Sequence, residues 1–277
     1  MTEVQQRLGE VKKGQAIEQE RINKIGSISI QKLAEIKLDS IINNRIQARL
    51  LKAKTGLDSV NAIIETISQL LVSKKDFRKN YRPVILPVLL QLEQYRNLYN
   101  IRQQAYLMLE DGLDITTYTL FDLAAFFGSG KYRIPEEATE LASKSFAPLV
   151  DSVIQFSNKY KNLPRKASLV ILGFADGTGF DVGSDLYNTL ANLIGNPNPT
   201  NPELNQKLSE LRAAELVKML YRQFVIRNNT MENKDIFSIE YLEQGKGEQY
   251  PIPTIKDYRV NDERRRIVLC YWAVIPD

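Results

Sequence analysis

Two charged residues of opposite sign carry the chemistry this sequence suggests. Asp176 closes an apolar run, Ser168-Leu-Val-Ile-Leu172, through Gly173-Phe-Ala. Arg212 lies in Asn205-Gln-Lys-Leu208-Ser209-Glu-Leu-Arg212-Ala213, which opens the helical pattern Leu208, Leu211, Ala214, Val217, Leu220. A strand ending in an acid, followed by a helix bearing an arginine, can place both charges in one cleft. Such a cleft suits a zwitterionic amino-acid ligand, because the planar guanidinium fork holds a carboxylate through two parallel bonds. The plainer reading is local: Asp176 caps a turn, and Asn205 or Ser209 caps a helix.

Other chemistries lack their residues. The chain has no histidine and one cysteine, Cys270. Serine–histidine and cysteine–histidine nucleophiles, His-ligated metals and an internal disulfide are therefore excluded. No metal or cofactor is expected. Cys270 sits in Ile267-Val-Leu-Cys-Tyr-Trp-Ala-Val274 and reads as a small packed hydrophobe. Gly128-Ser-Gly-Lys131 lacks the spacing of a phosphate loop, and Tyr132 stands where Ser or Thr is needed. Arg264-Arg-Arg266 cannot form one cluster if extended, since alternate strand residues face opposite ways. No nucleic-acid partner is expected. No pair of carboxylates falls in an acid–base frame, so the chain does not read as an enzyme.

The elements that must position Asp176 and Arg212 come late in the chain. From about Ile115 the pattern alternates: a strand near Ile115–Phe121, a helix from Pro135 to about Tyr160, a strand at 168–173, a helix at about 203–224, and strands near 236–242 and 265–274. This alternation predicts an α/β or α+β sandwich, with helices on one face of a mixed sheet. Before it, residues from about 15 to 110 read as helix, with residues 1–14 frayed. Ile46, Leu50, Ala53, Leu57, Val60, Ile64, Ile67 and Leu71 recur in steps of four and three, a heptad seam that needs a helical partner. The seam closes either within the chain or by self-association with a second copy. Ser73–Asn80 is a polar break, Pro83 opens a new helix, and Asp111-Gly112 stops it. The expected division is an all-α hairpin or coiled-coil stalk over 1–112 and a second domain over 113–277.

Four blocks, in order, resemble the OmpA-like peptidoglycan-binding domain, the type found at the C-termini of OmpA and MotB. They are Phe127-Gly-Ser-Gly130 with Ile134; Leu172-Gly-Phe-Ala-Asp176 with Thr178-Gly179; the Asn205–Ala213 block; and Gly245-x-Gly-Glu248-x-x-Pro251 followed by Arg264-Arg-Arg-Ile267. Asn205-x-x-Leu-Ser-x-x-Arg-Ala213 matches at every fixed position. The resemblance spans about 120–277. It implies non-catalytic binding of the diaminopimelate in peptidoglycan stem peptides. Asp176 would receive the ammonium group and Arg212 a carboxylate. Backbone N–H groups around Ala175, Gly177 and Thr178 would hold the anionic end, and Asn205 would brace the loop. The chain departs from the family in separating Asp176 from Asn205 by 29 positions. That leaves an insertion at about 180–202, in which Ser184–Ile194 can form a short helix.

Charge and hydropathy bear on location. Residues 1–111 hold 18 Lys and Arg against 12 Asp and Glu, so this half can face an acidic partner or an anionic membrane surface. No stretch approaches the ~20 apolar residues of a membrane span, and the N-terminus lacks a signal-peptide core. The resemblance implies the periplasm or cell envelope, with the chain anchoring an oligomeric assembly to the wall. The alternative is a cytoplasmic interaction protein that reuses the fold to dock into a complex, expected if Met1 is the native start.

Overall fold

The computed structural model describes residues 1–122 and 132–277. It is a helical N-terminal region followed by a small mixed sheet with helices. The Phe127–Gly130 block and the Gly128–Lys131 run fall largely or wholly on 123–131, outside the described residues. Two compact units emerge: Met1–Ala34 with Asn43–Asp114, and Glu35–Ile42 with Ile115–Asp277. The connector Glu35–Ile42 thus joins the second unit and not the helical region over 1–112 that the sequence predicts. Its residue Ile36 adopts a left-handed φ of 60°, and its carbonyl accepts the Tyr271 hydroxyl at 3.2 Å.

In the first unit, α1 (Thr2–Ala34) packs on α2 (Ser40–Leu70). Ile46, Leu50, Leu57, Ile64, Ile67 and Leu71 are all buried. Val4 and Leu8 of α1 cluster with Ile64, Ile67 and Leu71, and the partly buried Val60 packs against them. The heptad seam therefore finds a helical partner within the same chain. The same contacts explain why residues 2–14 are helical rather than frayed: buried apolar area offsets the weak propensity around Gly9 and Gly14.

The polar break becomes α3 (Lys74–Asn80), whose Ser73 cap accepts the Asp76 N–H. A π turn (Tyr81–Ile85) and α4 (Leu86–Asn97) follow. Pro83 and Pro87 account for the wide turn. Each lacks an N–H and crowds the carbonyl four residues back, and the Leu86 N–H reaches Tyr81 O instead. Next, α5 (Tyr99–Ile115) runs on past Gly112.

An ionic knot ties α1 to α4 and α5. Glu18 is 1% exposed. It accepts Arg102 Nη2 at 2.9 Å and the Tyr95 hydroxyl at 3.2 Å, with the Tyr106 hydroxyl at 3.5 Å. Burial, then repulsion from Glu18, pushes the Tyr106 phenol up to about 12. The folded state thus holds this proton more tightly than the unfolded chain, whose phenol titrates near ~10. Its stabilisation is complete below pH ~10 and is lost as pH rises toward 12. Thermal melts from pH 9 to 12 should fall more steeply for the parent than for Tyr106→Phe. Parallel curves would show that this phenol is not the cause.

The second unit is built on a four-stranded sheet in the order β1-β4-β2-β3. The strands are β1 (Tyr118–Asp122), β2 (Arg165–Gly173), β3 (Phe237–Gly245) and β4 (Ile267–Pro276). β4 runs antiparallel to β1 and β2, while β2 and β3 are parallel. The central β2 and β4 are buried along nearly their whole length, which explains their continuous apolar runs. β2 begins three residues earlier than its apolar run because Arg165, fully buried, donates to Ser157 Oγ at 2.6 Å and Glu232 O at 2.6 Å. Helix α6 (Thr139–Lys159) packs on β2 and β4 and against α8 (Asn201–Ile226), which covers β2 and β3. The insertion forms α7 (Asp185–Ile194), capped by Ser184 and ended by Gly195 at φ 75°. Its Tyr187, Leu190 and Ala191 pack on Leu204 and Leu208 of α8.

Candidate functional site

The site gathers at the C-terminal end of β2. Ladder-like bonding continues beyond Gly173: Phe174 N–H donates to Ile267 O at 3.0 Å and Ala175 N–H to Gly247 O at 2.8 Å. This carries Asp176 to a fixed position at the strand tip. Helix α8 starts with a full capping box, Thr200 with Glu203, and a proline in its first turn. Asn205, Leu208, Ser209, Arg212 and Ala213 then fall on one buried face, the i, i+3, i+4, i+7, i+8 spacing of a helix packed inward.

Each fixed position of that block has a physical task. Asn205 Nδ2 donates to Thr178 O at 3.3 Å and to Glu248 Oε1 at 2.8 Å. Its Oδ1 is buried and accepts no hydrogen bond among the described residues. Leu208 anchors the insertion helix. Ser209 Oγ donates to Gln206 O at 2.7 Å and accepts the Gly247 N–H at 2.9 Å, pinning the β3–β4 loop. Ala213 meets Gly173, where helix and strand approach so closely that a Cβ on Gly173 would lie 2.2 Å from Ser209 O.

Arg212 is only 6% exposed, as is Asp176. Burial lowers the Arg212 guanidinium to about 10; Asp176 opposes the shift and Arg266 adds to it. Arg212 is therefore cationic at neutral pH, within electrostatic reach of both residues. The Asp176 carboxylate makes its ion pair with Arg266, Oδ2 accepting Nε at 2.8 Å and Nη2 at 2.7 Å. Thr178 Oγ1 donates to the same oxygen at 2.8 Å.

The structure thus brings Asp176, Arg212, Asn205 and Thr178 into one neighbourhood. It turns the predicted backbone donors inward. Gly177 N–H goes to Val260 O at 2.6 Å, and Thr178 N–H leans on Asp176 Oδ1 at 3.4 Å. With the Ala175 N–H on Gly247 O, all three amides stabilise the loop rather than facing a ligand.

Sequence reasoning missed Arg266 as a partner of Asp176. The arginine run is a 3-10 turn, Glu263–Arg265, leading into β4, so its three members part. Arg264 pairs with Asp262 at 2.6 Å. Arg265 donates to the Glu248 and Val260 carbonyls. Arg266 alone reaches Asp176. The one available signal was the adjacency of the run to a strand, and this does not specify a partner 90 residues away.

No protein-family model and no curated protein matches the chain. Among solved structures, 57% of the chain aligns with 75% of the periplasmic domain of Helicobacter pylori MotB, at 13% identity and a TM-score of 0.34. A second MotB periplasmic domain aligns over 58% of this chain and 64% of its own, at 15% identity and 0.33. A MotB-like protein from Desulfovibrio vulgaris aligns over 65% and 91%, at 13% identity and 0.31.

Proposed function

We propose that this chain is a non-catalytic anchoring protein of the cell envelope, whose second unit grips the diaminopimelate of peptidoglycan stem peptides. The observation that supports this most is the gathering of Asp176, Arg212 and Arg266, from three distant segments, at one strand tip. It coincides with the Asn205–Ala213 block that resembles the OmpA-like family. In this reading Asp176 receives the ligand ammonium and Arg212 a carboxylate, with Asn205 and the loop residues Ala175, Gly177 and Thr178 as the frame. Arg266 neutralises Asp176 before the ligand arrives and then turns to the incoming carboxylate, so the exchange conserves charge.

Calorimetry with diaminopimelate-containing muropeptides tests this. Asp176→Ala or Arg212→Ala should weaken binding by about 3 kcal/mol, roughly a hundredfold, because each removes the charged group that meets one end of the ligand. Binding that persists in both variants removes the mechanism.

A second reading is favoured by one observation: Asp176 is already neutralised and the loop amides are already bonded. Under it, the fold serves as a docking module in a cytoplasmic complex, with the insertion as contact surface. Muropeptides would then fail to bind the parent chain as well.

A further inference from the structure

Helix α3, the π turn and α4 form one unbroken helical run from Lys74 to Asn97. Lys74, Lys75, Arg78, Lys79 and Arg82 stand at i, i+1, i+4, i+5 and i+8, which gathers them on an arc of about 140°. All five are exposed. None makes an ion pair or side-chain hydrogen bond among the described residues. The one acid between Lys74 and Arg82, Asp76, accepts the Ser73 hydroxyl at 2.7 Å.

The opposite side of the run faces inward. Phe77 packs on the cluster containing Ile85 and Leu92, and its ring meets Tyr81 at 5.3 Å. Exposed aliphatic residues border the cations. Val72 is 85% exposed, and Leu86 and Leu90 continue the row of Arg78 and Arg82 in steps of four, Leu90 at 61%. Val72 also lines a cleft of about 480 Å³ with Leu8 and Leu71.

We propose that this end of the helical unit docks on the surface of an anionic lipid bilayer. Unpaired cations gathered on one face attract an anionic surface, and a border of exposed aliphatic side chains suits one with an apolar layer beneath its charge. Nucleic acid meets the first condition and not the second. It is commonly gripped by stacking on aromatic faces, and the ring of Tyr81 already meets Phe77. Each cation near such a membrane raises partition about fivefold, and the leucines immerse at the headgroup boundary. This contact needs no spanning helix, and among the described residues no helix is long and apolar enough to cross a membrane. It is independent of the wall-binding reading, since all its residues lie in the first unit.

The test is co-sedimentation of the full chain with phosphatidylcholine vesicles, with or without one quarter phosphatidylglycerol. The chain should pellet with the anionic vesicles only, and molar salt should release it. The triple variant Lys75→Glu, Arg78→Glu, Lys79→Glu should lower partition about a hundredfold or more with an unchanged far-UV spectrum. Leu90→Ser should lower it severalfold. Equal pelleting with neutral vesicles, unchanged partition in either variant, or retention on duplex DNA without vesicle binding would each overturn the proposal.

Discussion

Glu18→Ala should destabilise the helical unit by about 3–5 kcal/mol, the range for breaking one half of a buried ion pair. The reason is what remains behind. Arg102 is held at Glu18 through Nε at 3.1 Å and Nη2 at 2.9 Å, while its Nη1 donates to Tyr95 O at 2.8 Å. Its guanidinium also sits 3.7 Å from the Tyr95 ring centroid. Without the carboxylate, the half-buried guanidinium is still held against the Tyr95 carbonyl and ring but has lost its counter-ion. Glu18→Gln keeps the shape and an acceptor, and should cost less. Urea titration followed by far-UV circular dichroism measures both, with Glu3→Ala as the control. Glu3 pairs with Arg7 on the exposed surface at 2.8 Å, and its loss should move the midpoint little. Equal effects at Glu18 and Glu3 would mean that water reaches the buried pair.

Gly173→Ala should cost the second unit about 3 kcal/mol, the upper end for overpacking, and should impair any ligand binding at the strand tip. The added methyl would meet Ser209 O at 2.2 Å and the Ala213 Cβ at 3.3 Å. The first obstacle is backbone, so no rotamer change relieves it. Helix α8 must move off β2, and it carries Asn205, Ser209 and Arg212 with it. Ser209 would then lose its grip on Gly247, the residue whose carbonyl holds Ala175. Melting the variant and measuring muropeptide affinity on the still-folded protein separates the two effects. An unchanged melting temperature would show that the helix–strand approach is looser than 2.2 Å implies.

The sequence made the periodic features legible. The heptad steps from Ile46 to Leu71 reported a buried helix face, and the apolar runs of β2 and β4 marked the two strands that prove central in the sheet. The Asn205–Ala213 block was readable because its spacing is helical and its polar members fall on the buried face. What stayed hidden depends on three-dimensional pairing between remote segments. Glu18 sits four residues from Ile22 in a stretch that looks like any solvated helix, and nothing local marks it as the residue that meets Arg102. Arg165 reads as a polar residue ahead of a strand, yet it lies inside the strand because Ser157 and Glu232 receive its donors. Arg266 was visible as charge, but its partner was not. The connector Glu35–Ile42 escaped for a related reason: its attachment to the sheet unit rests on contacts such as the Tyr271 hydroxyl on Ile36 O, far away in sequence.

The bonding of Arg266 to Asp176 has a thermodynamic corollary. Three separate stretches meet there, the β2 tip with its Thr178 turn, the α8 face and the approach to β4, so any occupant would bridge segments that unfolding must part. Saturation would then act as a clasp, raising the melting temperature of the whole sheet unit in proportion to RT ln(1 + [L]/Kd), about 2.7 kcal/mol at a hundredfold excess over Kd. Thermal denaturation scans could therefore screen for what the clasp accepts before any affinity is known.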